Sequence, residues 1–312
     1  MPYPHVPVMQ QEVVDYLNCR PGKIYVDCTL GGSGHARAIL ENISPGGVLI
    51  GIDQDIDAIK NADEMLKPYA LSIRLFHGNF IRLPEFLERL EITAADGIFL
   101  DLGISLHHIR QSGRGFSFKG DEPLDMRMNI QTKTTARDIV NLWPEKELRR
   151  IFKHYGEERW GRQIARQIIA VRRQKRINTT KELVEIVSGV VPKQAAAKSR
   201  IHPATRVFMA LRIAVNQELE RLDQFMNMVS DLLSPHGRFC ALSYHSLEDR
   251  IVKHRIKWME KACICPPDFP RCVCEKTATV RNLTRKPKRP TPEEIDRNPM
   301  ARSARLRAME KR

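Results

Sequence analysis

The chain lacks any long apolar run. Across its 312 residues no stretch approaches the ~18 consecutive apolar residues of a membrane-spanning helix, so no membrane partner is expected. The opening Met-Pro-Tyr-Pro-His-Val-Pro-Val has neither a basic region nor an apolar one, and a secretory signal is not expected. Cysteine is scarce, odd in number at seven and unevenly spread. That argues against a disulfide scaffold and for a reduced, cytoplasmic protein. No internal repeat and no long low-complexity tract is visible. A strict G-x-G-x-x-G is missing, which weakens a dinucleotide reading. What is present is a hydrophobic fraction of 42%, enough for a substantial core, and a net charge of +14. A reduced protein this basic usually meets a polyanion, most often nucleic acid.

The most informative segment is Tyr25-Val-Asp-Cys-Thr-Leu-Gly-Gly-Ser-Gly-His35. An apolar, β-branched run ends in Gly31, Gly32 and Gly34, and Asp53 closes the next apolar run, Val48-Leu-Ile-Gly-Ile52. The pattern predicts a strand, a tight turn, a helix start and a second strand tipped by a carboxylate. Glycines let a ligand approach the backbone, and a carboxylate at this offset suits a ribose diol. A nucleoside cofactor follows. S-adenosylmethionine has a ribose but no pyrophosphate to seat on a helix N-terminus, so the looser turn fits it. A glycine-rich turn in an ordinary α/β protein is the plainer alternative.

Strand patterns at about 24–30, 48–53, 72–76 and 97–102 alternate with helix patterns at about 35–42, 55–67 and 82–90. This rhythm predicts an α/β fold with a mainly parallel, Rossmann-like sheet. Ligands then bind beyond the strands' carboxyl ends, at Gly31 to His35, Asp53, Phe80 and Asp101. From 104 to 206 no strand pattern appears, and strand pattern resumes at 237–243. The expected organisation is a discontinuous catalytic domain, 1–103 and 207–312, interrupted by a helical substrate-binding insertion, 104–206. A helix over about 205–233 leads back to the sheet.

Several residues could carry chemistry. Asp101 ends the strand Gly97–Leu102 and could contact a cofactor, accept a proton from an amine, or cap its own loop. His245 follows the next strand, with Ser246 and Asp249 resembling a capping box; either a cleft-facing catalytic histidine or a packed helix start fits. Arg159, Arg162, Arg166 and Arg173 line one face of a helix whose buried stripe is Trp160, Ile164, Ile168 and Val171, a pattern suited to phosphate contacts. Phe116 and Phe118 could stack a base, close a lid or join a core. Cys263, Cys265, Cys272 and Cys274 could hold zinc, but Cys-x-Cys is tighter than the usual spacing and the gap between the pairs is short. The expectation is reduced cysteines in a packed loop and no metal.

Taken together, the chain resembles the bacterial 16S ribosomal RNA cytosine-N4 methyltransferases called RsmH or MraW. The resemblance rests on His5-Val-Pro-Val8, Asp27–His35, Asp101-Leu-Gly-Ile-Ser105, Arg114-Gly-Phe-Ser-Phe118, Pro123-Leu-Asp-Met-Arg-Met128, Tyr155-Gly-Glu-Glu-Arg159, His202-Pro-Ala-Thr-Arg206, His245-Ser-Leu-Glu-Asp-Arg-Ile-Val-Lys253 and Asn298-Pro-Met-Ala-Arg-Ser303. It implies a class I S-adenosylmethionine-dependent methyltransferase with a helical insertion. Its substrate would be a decoding-region cytosine of 16S rRNA in the 30S subunit, and a homodimer is compatible with it. Cofactor contacts carried over fall on Ser33, Gly34, His35, Asp53, Phe80, Asp101 and His108; Asp101 and His245 become the catalytic candidates. Ser33 stands where the family often has glycine, and Leu106-His-His-Ile109 replaces a usual Ser-x-Gln-Leu. No Asp-Pro-Pro-Tyr motif is present. Other readings are a different methyl acceptor on the same scaffold, a nicotinamide oxidoreductase, or a non-catalytic RNA-binding assembly factor.

Overall fold

The computed structural model describes residues 7–199, 201–266 and 271–312; His5 and Val6 of the first motif lie outside them. Seven strands form one sheet: β1 (Ile24–Asp27), β2 (Val48–Asp53), β3 (Ile73–His77), β4 (Ala95–Asp101), β5 (Leu233–Ser243), β6 (Val280–Asn282) and β7 (Arg305–Lys311). Their order is β3-β2-β1-β4-β5-β7-β6. The first five pair in parallel, and β7 runs antiparallel between β5 and β6. This is a Rossmann-like, mainly parallel sheet, as the strand–helix rhythm of the sequence predicts. The central strands read as continuous apolar runs because they are covered on both faces. Ile50, Ile52, Ile98, Phe99 and Leu100 are all buried.

The last two strands were not visible in the sequence pattern. β7 reads Arg-Leu-Arg-Ala-Met-Glu-Lys, too charged for a typical strand. It forms because its charges find partners. Arg307 Nε donates to Asp249 Oδ1 at 2.6 Å, and Glu310 accepts from Arg238 at 3.0 Å and Arg281 at 2.9 Å.

The chain divides into two compact units. One joins the described residues up to Gly103 with Leu219–Arg312; the other is Ile104–Glu218. The expected boundary at 206 therefore falls inside the helix Ala204–Asn216, whose Val207, Phe208 and Leu211 sit in the helical unit's core with Ile139, Phe152 and Ile164. The single helix expected over 205–233 is two helices. Gln217, at φ 52°, breaks it, and Glu218–Met228 follows. Asn216 fixes the break: its Oδ1 accepts from Met128 N and its Nδ2 donates to Met126 O, each at 2.9 Å. Beyond it, Leu222, Phe225 and Met226 join the sheet unit's core.

Within the helical unit, capping boxes start two helices, Thr135 with Asp138 and Thr179 with Glu182. The basic helix runs Gly161–Arg172. It buries Ile164, Ala165 and Ile168 and leaves Arg162 and Arg166 exposed, as are Arg159 and Arg173 beyond its ends. Among the described residues, no helix is long and apolar enough to cross a membrane.

Candidate cofactor and catalytic site

The site is assembled at the carboxyl ends of β1, β2 and β4. Each of these strands finishes in an aspartate: Asp27, Asp53 and Asp101. Parallel pairing brings these ends to one edge of the sheet. Asp27 is fully buried. Its Oδ1 accepts from Thr29 N at 3.0 Å, while Oδ2 has no hydrogen-bond partner among the described residues. Burial pushes its carboxyl up to about 7; the Thr29 N–H opposes the shift, and the charges of Asp101 and Asp53 add to it.

The glycine turn follows β1. Gly31 has φ 47° and Ser33 φ 65°, both left-handed. A Cβ built at Gly31 would meet nothing within 4 Å, so space lies in front of this backbone. At Gly34 a Cβ would press on Pro7 Cγ at 3.0 Å. Ser33 is the N-cap of the helix Gly34–Ile43, yet its side chain caps nothing. Its Oγ is buried and has no hydrogen-bond partner among the described residues.

Asp53 ties the turn to β2. Its Oδ2 accepts from Gly31 N at 2.9 Å and its Oδ1 from Asp55 N at 2.8 Å. His35 is buried; its Nε2 lies 2.9 Å from Val8 O and its ring 4.7 Å from that of Phe99. The Nε2 contact makes that nitrogen the donor, and Nδ1 lies 3.8 Å from Asp101 Oδ2.

Asp101 is held from several sides. Its backbone N donates to Thr29 Oγ1 at 2.7 Å, and its Oδ1 accepts from Gly103 N at 3.2 Å. The loop-capping role weighed for Asp101 is thus present in the structure. Tyr244 also hydrogen-bonds to Asp101. Burial, then the charge of and hydrogen bond to Asp101, hold the Tyr244 phenol far above its ordinary pKa, so it stays a donor. Gly103 is required here, because a Cβ would lie 2.8 Å from Tyr244 Cε2. The Asp101 side chain nevertheless keeps 17% of its surface open, so it can still receive a ligand.

Phe80 opens the 3-10 turn Phe80–Arg82 after β3 and is buried, edge-on to Phe225 at 5.1 Å. His108 belongs to the helical unit. It is buried, with Nδ1 2.9 Å from Ser105 Oγ and its ring 4.8 Å from Phe116. Phe116 is itself buried in that unit's core, which removes it as a base-stacking platform. Phe118 stacks on His202 at 4.9 Å.

The capping box after β5 is shifted by one residue from the expected one. His245, not Ser246, is the N-cap of the helix Ser246–Glu260, and its partner is Glu248, not Asp249. Imidazole Nδ1 accepts from Glu248 N at 3.4 Å, and Nε2 lies 2.9 Å from Glu248 Oε1. Glu248 Oε2 in turn accepts from Tyr244 N and His245 N. Asp249 is free for another use because Arg305 and Arg307 claim it. Sequence reasoning passed over Asp27 and Tyr244. The signal for Asp27 was the one applied to Asp53 and Asp101, a carboxylate ending an apolar run. Tyr244 had none, since its role depends on a contact across two strands.

The match to known proteins extends well beyond this edge. Residues 2–312 match the MraW methylase family. The ribosomal RNA small subunit methyltransferase H of Desulforapulum autotrophicum is 52% identical over 307 residues, 98% of each chain. That of Desulfosudis oleivorans is 51% identical over 311 residues, and that of Clostridioides difficile 43% over 311, both covering 100% of each chain. With a class I sheet and likeness along its full length, the chain belongs to the MraW methylase family.

Proposed function

We propose that this protein transfers a methyl group from S-adenosylmethionine to the N4 amine of a cytosine in the decoding region of 16S rRNA, within the 30S subunit in the bacterial cytoplasm. The observation that carries the reading is the full-length likeness to small-subunit rRNA methyltransferases, set on a sheet edge that gathers three carboxylates. The residues fit the cofactor. Two buried polar atoms without partners, Ser33 Oγ and Asp27 Oδ2, and the space before Gly31 suit a ligand with hydroxyls and positive charge. Gly31 to His35 and Asp53 would hold its nucleoside part, and Phe80 would support the adjoining wall.

When bound, the cofactor supplies a sulfonium-activated methyl group, so the protein's task is the nucleophile. Cytosine N4 shares its lone pair with the ring and is weak. Alignment is therefore the main contribution, and a fixed acceptor for N4–H is the second. Asp101 supplies that acceptor. Gly103 N and the Tyr244 hydroxyl fix its carboxylate, so little reorganisation is needed as positive charge develops on N4. His245 is a positioning residue: it starts the helix that follows Tyr244. The exposed Arg159, Arg162, Arg166 and Arg173 provide phosphate contacts that position the RNA without reading its sequence.

The test is incubation with methyl-labelled S-adenosylmethionine and 30S subunits from cells lacking the modification, followed by nucleoside mass spectrometry. N4-methylated cytidine at one 16S position is expected. Label on another base or on protein would refute the acceptor assignment. Cofactor binding without transfer would favour an RNA-binding assembly factor.

A further inference from the structure

Four cysteines take no part in the site described above. Cys263, Cys265, Cys272 and Cys274 lie in the connection from the helix Ser246–Glu260 to β6, whose described residues form neither helix nor strand. The sequence argued for reduced thiols packed in a loop. The structure contradicts the packing: Cys263 and Cys272 are exposed, and Cys265 and Cys274 only half-buried. Yet the four ligand atoms converge, all within 4.8 Å of one another. Burial does not explain why exposed thiols would gather.

We infer that these four cysteines form a structural zinc site. The distances fit the ion. A Zn–S bond of about 2.3 Å places tetrahedral sulfurs about 3.8 Å apart. The sulfurs of Cys263 and Cys272 are 3.5 Å apart, those of Cys272 and Cys274 3.6 Å, and those of Cys263 and Cys274 3.8 Å. Disulfides would need about 2.0 Å.

The backbone is arranged for charged sulfur. Ile264 N points at Cys274 Sγ, Val273 N at Cys265 Sγ, and Cys265 N at Cys263 Sγ, each at 3.4 Å. The first two bonds are reciprocal: the middle residue of each Cys-x-Cys donates to a sulfur of the other pair. Such N–H donors orient thiolate ligands and stabilise their charge. One intervening residue suffices because the two pairs face each other, so neither has to wrap the metal alone. Four thiolates on one Zn2+ leave a net charge of −2, and Lys261, Arg271 and Lys276 flank the ligands in sequence. Lys276 also closes the loop's base, donating to Lys261 O at 2.5 Å with its ammonium 4.6 Å over the Trp258 ring. Four sulfurs complete the coordination, so the ion is a clip for this connection and does not activate water. In a reducing compartment a metal clip does what a disulfide cannot.

The test uses the full-length protein purified without chelators. Elemental analysis is expected to find about one zinc per chain, released by a thiol-specific mercurial. Metal-stripped protein titrated with Co2+ is expected to develop the sulfur-to-cobalt charge-transfer bands and the intense visible bands of a tetrahedral thiolate site. The double variant Cys265→Ser, Cys274→Ser is expected to lose both bands, keep its far-UV circular dichroism, and be cleaved faster by protease within 261–279. Absent cobalt bands with four freely modifiable thiols would overturn the inference. So would an intact mass four hydrogens short, which would mean two disulfides.

Discussion

Asp27 sets up a sharp test of the sheet edge. Its carboxyl is raised from the ordinary 3.8 to about 7, first by burial. A group whose pKa is higher folded than unfolded gives stability that is complete below the unfolded value. That stability is lost as pH rises through the folded value. The window therefore runs from about pH 4 to about pH 7, and three pKa units correspond to about 4 kcal/mol. Asp27→Asn removes this titration. The amide keeps the acceptor for Thr29 N, but places a donor where Oδ2 was, a pH-independent cost of about 1–3 kcal/mol if unsatisfied. The effect of the substitution should therefore change sign. At pH 4 the variant is less stable than wild type by about 1–3 kcal/mol, and at pH 8 it is more stable by a similar amount. Urea unfolding of both proteins at several pH values measures the difference, and titrating groups that do not couple to Asp27 cancel in it. The carboxyl 13C resonance of Asp27 should titrate near 7. A stability difference that is flat from pH 4 to 8, or a midpoint near 3.8, would refute the reasoning.

Four further outcomes are expected. Asp101→Asn should bind S-adenosylmethionine within about tenfold of wild type and lose methyl transfer by ~10²-fold or more; calorimetry with single-turnover transfer checks it, and equal losses in both would make Asp101 a binding residue only. His245→Asn should keep turnover, since Asn is a good N-cap, whereas His245→Ala should cost about 1 kcal/mol of stability; a folded Asn variant without turnover would restore His245 to the chemistry. Arg162→Ala should weaken 30S binding and lower the salt slope by about 0.7–0.9, measured by filter binding across salt; an unchanged slope removes this helix from the RNA surface. Gln217→Gly should stabilise the protein by about 1 kcal/mol, because Gln217 is exposed and sits at φ 52°; a lower melting temperature would show that the side chain matters.

The parts legible in the sequence were those set by local pattern. Gly31 to Gly34, Asp53 and Asp101 announced a sheet edge, because strand ends and glycine turns depend on neighbours a few residues away. The parts missed depend on distant partners. β7 was hidden by charges whose partners, Asp249, Arg238 and Arg281, lie far along the chain. The break at Gln217 follows from Asn216 reaching Met126 and Met128, about 90 residues earlier. The capping box was misplaced because imidazole is an uncommon cap, and Ser246 looked the better one. The cysteine loop was expected to be packed and is not, because spacing along the chain says nothing about how two pairs come to face each other at the surface.

The crowding at this edge has a physical logic. Burying Asp27 beside Asp53 and Asp101 is unfavourable for the folded protein at neutral pH, and well-packed apolar residues would be cheaper. Such an arrangement persists where a ligand relieves it. A cationic ligand brought to this edge would favour the ionised form of Asp27 and lower its pKa. By linkage it would then bind more tightly as pH rises toward 7 and stabilise the fold as it binds. Asp101 differs in kind. With Gly103 N and Tyr244 fixing its carboxylate and part of its surface open, it is already arranged as an acceptor. The same strand-end position therefore gives two carboxylates of different character, set apart by burial and by hydrogen-bond partners. Under the function proposed above, the sealed carboxylate would respond to ligand charge and the partly open one would meet the substrate.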